Sequence, residues 1–377
     1  MKKKILIVDD SALMRRVFCD IINSDNRFEV ADIARDGVEG YELLTAGQYD
    51  AVILDVYMPR MTGLELLKKM KDNNVRANVL MASTTTKEGA RETLTALDLG
   101  AVDFIKKPEN IVRAREEEFQ KIFLGLLDVV SNARGAARLK RVSEKKTGES
   151  QAPTFTMRYD VNFHTLQGIS KSPPASVTRQ PYPVVTGRKI VAIATSTGGP
   201  KALQEVIPKL PKGIRAPVLL VQHMPKGFTQ SLADRLNDLS GVIVSEARQG
   251  EPLLNGHVYV APGGVHMQVE KRDDGYYVKC TDEPAREGVK PCANYMFESL
   301  GNTAYDEVIC VVLTGMGSDG TAGIAALKKK KRIHVIAQDE ETCTVFGMPK
   351  SVAAAGLANE IVPLAKIAEQ IMKNVGV

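Results

Sequence analysis

Short runs of β-branched and other apolar residues, four to six long, recur along this chain between stretches with helical spacing. That alternation limits the possible folds more than any other feature of the sequence. K-I-L-I-V (4–8), A-V-I-L (51–54) and N-V-L-M-A (78–82) read as buried strands. S-A-L-M-R-R-V-F-C-D-I-I (11–22) and G-L-E-L-L-K-K-M (63–70) carry the apolar spacing of amphipathic helices. Strands alternating with helices predict a parallel sheet covered on both faces. A long charged helix over residues 110–142 is expected to carry the chain out of this first unit. From 143 to 187 the periodicity gives way to Pro, Ser, Thr and charge, which predicts a mobile linker. K-I-V-A-I-A (189–194), A-P-V-L-L-V (216–221), H-V-Y-V-A (257–261), V-I-C-V-V-L (308–313) and H-V-I-A (334–337) then restart the pattern. The expectation is two α/β domains, because 377 residues exceed what one hydrophobic core usually covers.

Bulk properties narrow the functional classes. A net charge of +5 is small for this length and does not demand a nucleic-acid partner. The basic run K-K-K-K-R (328–332) follows an apolar stretch and reads as a solvated helix end. No run of apolar residues approaches the roughly 18 needed to span a bilayer, so membrane insertion is not expected. The basic start M-K-K-K runs within a few residues into Asp9 and Asp10, too soon for a secretory signal. Five cysteines are scattered without a C-x-x-C pair, which predicts reduced thiols in a cytoplasm and neither a disulfide frame nor a zinc site.

In the first half, Asp9 and Asp10 lie just past the first strand and Asp55 ends a later one. Ligands of open α/β sheets gather at the carboxyl ends of strands, where these carboxylates could converge on a hard cation such as Mg²⁺. Ser83 and Lys107 follow two further strands of the same sheet. Together these groups describe an aspartate that attacks a phosphoryl donor, with Lys107 and Ser83 binding the phosphoryl oxygens. Taken singly, Asp9 and Asp10 could equally be loop or helix-cap residues. Residues 1–125, with I-L-I-V-D-D, I-L-D-V-Y-M-P and D-F-I-K-K-P, resemble the receiver domain of two-component response regulators. The resemblance implies a flavodoxin-like fold with a five-stranded parallel sheet and phosphorylation on Asp55. It also implies Mg²⁺ near Asp9, Asp10, Asp55 and the Tyr57 carbonyl, with Ser83 and Phe104 as the hydroxyl and aromatic switch positions. Thr62 departs from the family, which usually has aspartate there; the chemistry is expected to survive.

The second half turns on V-A-I-A-T-S-T-G-G-P (191–200), where a buried run ends at Ser196 and two glycines. A serine between a strand and a helix start sits near backbone N–H groups that suit a developing oxyanion. His223 directly follows V-L-L-V-Q, and Asp319 lies in the glycine-rich V-V-L-T-G-M-G-S-D-G (311–320), so a base and its orienting carboxylate are available at two more strand ends. Each has a plainer reading as a turn or capping residue. The loop lacks the lysine and hydroxyl ending of a P-loop and the G-x-G-x-x-G of a dinucleotide site, and G-x-S-x-G is absent.

A-T-S-T-G-G-P, Q-H-M-P-K-G-F-T, V-Y-V-A-P-G-G-V-H-M and L-T-G-M-G-S-D-G make residues 188–372 resemble the catalytic domain of the CheB family, chemotaxis protein-glutamate methylesterases. That implies a Rossmann-like α/β/α domain with a mostly parallel sheet over 188–377, joined to the receiver by a helix extension and flexible linker over 126–187. Carried over by position, Ser196 is the nucleophile, His223 the general base, Asp319 its orienting carboxylate, and Thr197 and the Met316 amide the oxyanion donors. The implied reaction cleaves γ-glutamyl methyl esters of chemoreceptors, and some members deamidate receptor glutamines. The implied partners are those receptors and a chemotaxis histidine kinase. The esterase itself needs no cofactor, and nothing demands more than a monomer. Cys292 and Asn294 replace a serine and an aspartate usual in the family, so an altered groove is conceivable. Cys292 lacks a paired histidine and reads as inert, and His266 as structural. Three alternatives stay open: a phosphorylation-controlled DNA-binding regulator, a non-catalytic receptor adaptor, and an esterase or amidase with another substrate.

Overall fold

The computed structural model describes residues 1–84, 86–108, 110–133 and 187–377. In the N-terminal domain, strands β1 (Lys3–Val8), β2 (Phe28–Ala34), β3 (Ala51–Asp55), β4 (Val79–Ser83) and β5 (Asp103–Lys106) form a parallel sheet in the order β2-β1-β3-β4-β5. Helices α1 (Ala12–Ser24), α2 (Gly37–Ala46), α3 (Gly63–Asp72) and α4 (Lys87–Leu99) follow the first four strands in turn. β3 and β4 are buried at every position, which is why their sequences are continuous apolar runs. Thr62 caps α3 in a capping box with Glu65, so the hydroxyl does the job a carboxylate would do there.

The charged helix expected over 110–142 is instead two helices, α5 (Ile111–Arg115) and α6 (Glu117–Asn132), broken where Glu116 is extended. α6 does not lead the chain away. Phe123, Leu127 and Val130 are fully buried on its apolar face, and Phe123 stacks on Phe18 of α1 at 5.2 Å. The last part of that expected helix and the linker through residue 186 lie outside the described residues.

In the C-terminal domain the chain runs β6 (Lys189–Thr195), α7 (Gly199–Val206), β7 (Val218–Gln222), α8 (Phe228–Leu239), β8 (Ile243–Glu246) and β9 (His257–Val260). The hairpin β10 (His266–Arg272) and β11 (Gly275–Thr281) follows. Then come α9 (Ala293–Leu300), β12 (Glu307–Val312), α10 (Thr321–Lys328), β13 (Ile333–Gln338), α11 (Met348–Ala354), β14 (Glu360–Val362) and α12 (Leu364–Val375). Seven strands make one sheet in the order β14-β13-β12-β6-β7-β9-β8, with every pairing parallel. The strand period of two divides β6 between the two faces. Val191 and Ile193 pack with α7, α8 and α12; Ile190, Ala192 and Ala194 pack with α9, α10 and α11.

The two domains share a core. Leu97 of α4, Ala101 just before β5, and Phe104 of β5 belong to the same apolar cluster as Ala202 of α7 and Phe228 and Leu232 of α8. Phe104 and Phe228 stack with ring centroids 4.7 Å apart. At the rim, Asp98 accepts from Gln204 at 2.8 Å and pairs with Arg235.

Candidate active site

Sheet order decides what can meet. β6 lies between β12 and β7, so the residues following these three strands share one edge. Between β6 and β12 the connections also reverse direction across the sheet, the place where α/β crevices open. Ser196 follows β6, His223 follows β7, and Asp319 follows β12. The Ser196 amide donates to Thr314 O at 3.0 Å, and Gln222 Nε2 donates to both Ser196 O and His223 O at 3.0 Å. Gln222 is buried and fixes the two loops against each other; it was not singled out from the sequence, although Q-H at a strand end is the signal for it.

The two glycines of T-S-T-G-G-P now have reasons; a Cβ on Gly199 would strike Gln222 Oε1. Gly198 takes φ +76 as the cap of α7, and a Cβ there would strike Thr344. On the facing loop, a Cβ on Gly315 would come within 2.7 Å of the Ser196 Cβ, so only glycine lets the two loops approach.

His223 Nε2 lies 2.7 Å from Asp319 Oδ2. Since the carboxylate accepts, Nε2 carries the proton and Nδ1 keeps its lone pair. The arrangement holds the imidazole in one tautomer. Among the described residues Ser196 Oγ makes no hydrogen bond to His223, and the amides of Thr197 and Met316 make none at all. Asp319 is the opposite: buried and saturated. Oδ2 also accepts from the Ala293 amide at 2.6 Å. Oδ1 accepts from the amides of Asn294 (2.9 Å) and Gly320 (2.8 Å) and from Cys292 Sγ (3.0 Å). These donors, with His223, outweigh burial and hold its carboxyl down at about 2.

At the carboxyl edge of the first sheet, Lys107 Nζ lies 2.7 Å from both Asp9 Oδ2 and Asp55 Oδ2. Oxygens of Asp9, Asp10 and Asp55 lie within 4.8 Å of one another, an all-carboxylate set that fits a hard divalent cation. Burial pushes the Asp55 carboxyl up to about 6; Lys107 pulls the other way and the Asp9 charge adds to the rise. Tyr57, two residues on, is exposed, and Ser83 is turned away toward α4, its Oγ bonded to Gly89 O and Thr93 Oγ1.

A family model described as CheB methylesterase matches residues 191–371, and one described as response regulator receiver domain matches residues 5–117. The protein-glutamate methylesterase/protein-glutamine glutaminase of Bacillus subtilis is 40% identical over 98% of this chain and 97% of its own length. The protein of the same name from Geobacillus kaustophilus is 41% identical over 99% of both. This chain belongs to the CheB family. It is a methylesterase with a receiver domain. The crystal structure of the Thermotoga maritima CheB methylesterase catalytic domain is 42% identical, covering 50% of this chain and 99% of that one, with a TM-score of 0.48.

Within this CheB-family chain the receiver forms one wall of the esterase cleft. A space of about 730 Å³ is lined by Ser196, Thr197, His223, Glu287 and Met316 on one side and by Asp103, Lys107, Phe119 and Ile122 on the other. Asp103 is buried there; burial pushes its carboxyl up to about 6, partly offset by the Phe104 amide and the Thr197 hydroxyl. Asp103 was not anticipated, because its partner lies in the other domain.

The two family departures meet at Asp319 and do not line the cleft. Cys292 is fully buried, and burial together with the Asp319 charge pushes its thiol up to about 12. Asn294, also fully buried, accepts from the Gly320 and Gly323 amides and so pins the turn that carries Asp319. His266 accepts from the Cys292 amide through Nδ1 and reaches Pro284 O through Nε2, a fully engaged and buried ring. The basic run 328–332 is only partly a free helix end: Lys331 reaches Tyr305 O at 3.2 Å and Arg332 pairs with Glu307.

Proposed function

We propose that the chain removes methyl groups from γ-glutamyl methyl esters of chemoreceptors, releasing methanol, under control of phosphorylation at Asp55. Asp319 holds His223 with Nδ1 free, and Nδ1 takes the proton of Ser196 Oγ. The alkoxide attacks the ester carbonyl, and the unpaired amides of Met316 and Thr197 receive the developing oxyanion. His223 returns the proton to the departing methoxide, giving methanol. It then draws a proton from water, which attacks the acyl-enzyme and frees the glutamate carboxylate and Ser196. The relatives' name as protein-glutamine glutaminase extends the reading to receptor glutamines, with ammonia leaving by the same steps. The observation that carries the reading is the His223–Asp319 pair standing beside Ser196 on adjacent strand ends.

The phosphoryl group comes from a chemotaxis histidine kinase. A bound Mg²⁺ would be held by Asp9, Asp10, Asp55 and the Tyr57 carbonyl and would neutralise phosphoryl oxygens. Lys107 pairs with the phosphoryl group, the Ser83 hydroxyl swings from Gly89 toward it, and Phe104 follows inward, off Phe228. Losing that stack shifts the balance from a docked to an open receiver, which admits the receptor helix.

The test is methanol release from methylated chemoreceptor membranes, with and without a small phosphoryl donor and Mg²⁺. Release that rises with the donor is expected, lost entirely in Ser196→Ala and made donor-independent in Asp55→Asn. Donor-independent release from the parent chain would break the coupling. No release at all would defeat the esterase reading and return the adaptor to consideration.

A further inference from the structure

His266, in the motif V-Y-V-A-P-G-G-V-H-M, takes no part in the reaction above, yet the residue it holds also holds Asp319. Helix α9 begins at Ala293, and Cys292 before it does not cap it with its own side chain. Amides at a helix start have no partner within the helix and must find one elsewhere. Here three consecutive amides are divided between two side chains from distant parts of the chain. The Cys292 amide donates to His266 Nδ1 at 3.1 Å, the Ala293 amide to Asp319 Oδ2 at 2.6 Å, and the Asn294 amide to Asp319 Oδ1 at 2.9 Å. Cys292 Sγ adds a bond to Asp319 Oδ1 at 3.0 Å. His266 and all three donor residues are fully buried, so water does not stand in for a lost partner.

The ring can do this in one form only. Nδ1 accepts, so Nε2 carries the proton and meets Pro284 O at 3.2 Å, while Tyr295 in the first turn of α9 packs on the ring with centroids 4.5 Å apart. Without an acceptor at Nδ1 the Cys292 amide is buried and unpaired, a state that the backbone escapes by moving. The bonds that residues 292–294 give Asp319 then move too, and with them the carboxylate that meets His223. We propose that His266 is a positioning residue for the reaction: through Cys292 it sets the start of α9, and so the place of the carboxylate that orients His223. It touches neither the ester nor the reacting atoms. The proposal rests on the esterase reading and extends its machinery by one residue.

The experiment compares two substitutions in the full chain, with phosphoryl donor and Mg²⁺, by methanol release from methylated chemoreceptor membranes. His266→Asn sets an amide oxygen near the place of Nδ1, so the Cys292 amide keeps an acceptor. His266→Gln reaches to the Nε2 side and leaves that amide without one. His266→Gln is expected to lower kcat by about 10- to 100-fold with KM unchanged, the loss that a small misplacement of a catalytic group brings. His266→Asn should stay close to the parent. The far-downfield proton NMR signal of His223 Nε2–H reports the bond to Asp319 directly: it should shift or vanish in His266→Gln and hold its place in His266→Asn. A role in packing alone would lower the melting temperature and leave that signal and kcat where they are. Parental kcat in His266→Gln, a loss carried by KM, equal losses in both variants, or failure of either to fold overturns the proposal while leaving the esterase intact. No methanol from the parent chain defeats the esterase reading itself.

Discussion

Asp55 and Asp319 occupy comparable places, each at the carboxyl edge of a parallel sheet beside a reversal in strand order, yet their surroundings are opposite. Asp319 accepts from four neighbouring groups besides His223 and sits at about 2. Asp55 has one lysine, one backbone amide and a second carboxylate for company, and sits at about 6. A carboxylate that must orient a histidine through a whole reaction is best locked and permanently charged. One that must accept a phosphoryl group needs oxygens left open and a field that a cation can complete. On the proposed roles the same edge geometry serves a fixed part and a reactive part, and the count of donors around the carboxylate tells them apart.

The largest effect that would break this contrast is at Asp319. Asp319→Asn leaves the shape of the turn but exchanges an acceptor for a donor facing His223 Nε2, so the imidazole flips tautomer. The expected loss in kcat is roughly 10³- to 10⁴-fold, read as methanol release with phosphoryl donor present. A loss of tenfold or less would mean that the saturated carboxylate is structural.

Asp103 sharpens the comparison, since burial raises it as it raises Asp55, but at a place that faces the other domain, whose Thr197 hydroxyl offsets part of the rise. Its neighbours there, the Phe104 amide and Thr197, do not titrate. In the docked state its carboxyl titrates at about 6; on undocking it returns to the ordinary value near 4. A raised acid stabilises the state that raises it below the lower value, and that contribution is lost as pH rises through the upper one. Docking is therefore firmest below about pH 4 and weakens up to about pH 6, by on the order of a hundredfold in the docking equilibrium. Small-angle scattering across that range should report the chain expanding, and Asp103→Asn should abolish the pH dependence. An unchanged profile in that variant would remove Asp103 from the account.

The smallest expected effect is at the rim. Asp98→Asn removes the partner of Arg235, a pair in which the arginine is partly exposed. Methanol release without phosphoryl donor should rise about two- to fivefold, and less at high salt. A fall would show that this contact does not hold the receiver down.

Central strands were legible because parallel strands buried on both faces must be apolar throughout, as in β3, β4, β6 and β12. The missed strands are those free of that demand. β2 and β8 are half-exposed edges, β14 is three residues long, and the β10–β11 hairpin lies outside the main sheet. Ser196, His223 and Asp319 could be placed at strand ends from pattern, but their adjacency depends on β6 lying between β7 and β12, which no local spacing records. Gln222 and Asp103 were not singled out, and Asn294 was noticed only as a departure from the family, for a related reason. Each acts on a partner far away in sequence, so its neighbours in the chain do not reveal that partner.

One contact has a consequence for descent. A Cβ on Gly125 of α6 would lie 3.5 Å from the Met316 methyl group, so the receiver's last described helix crosses the esterase's Met316 loop at a residue with no side chain. An alanine would fit, while a larger side chain would meet the loop. A mutation in one domain is thus judged by the geometry of the other, and the two halves of the gene are bound to drift as a pair. Receivers grafted from relatives should fail at this crossing more often than at the phosphorylation site.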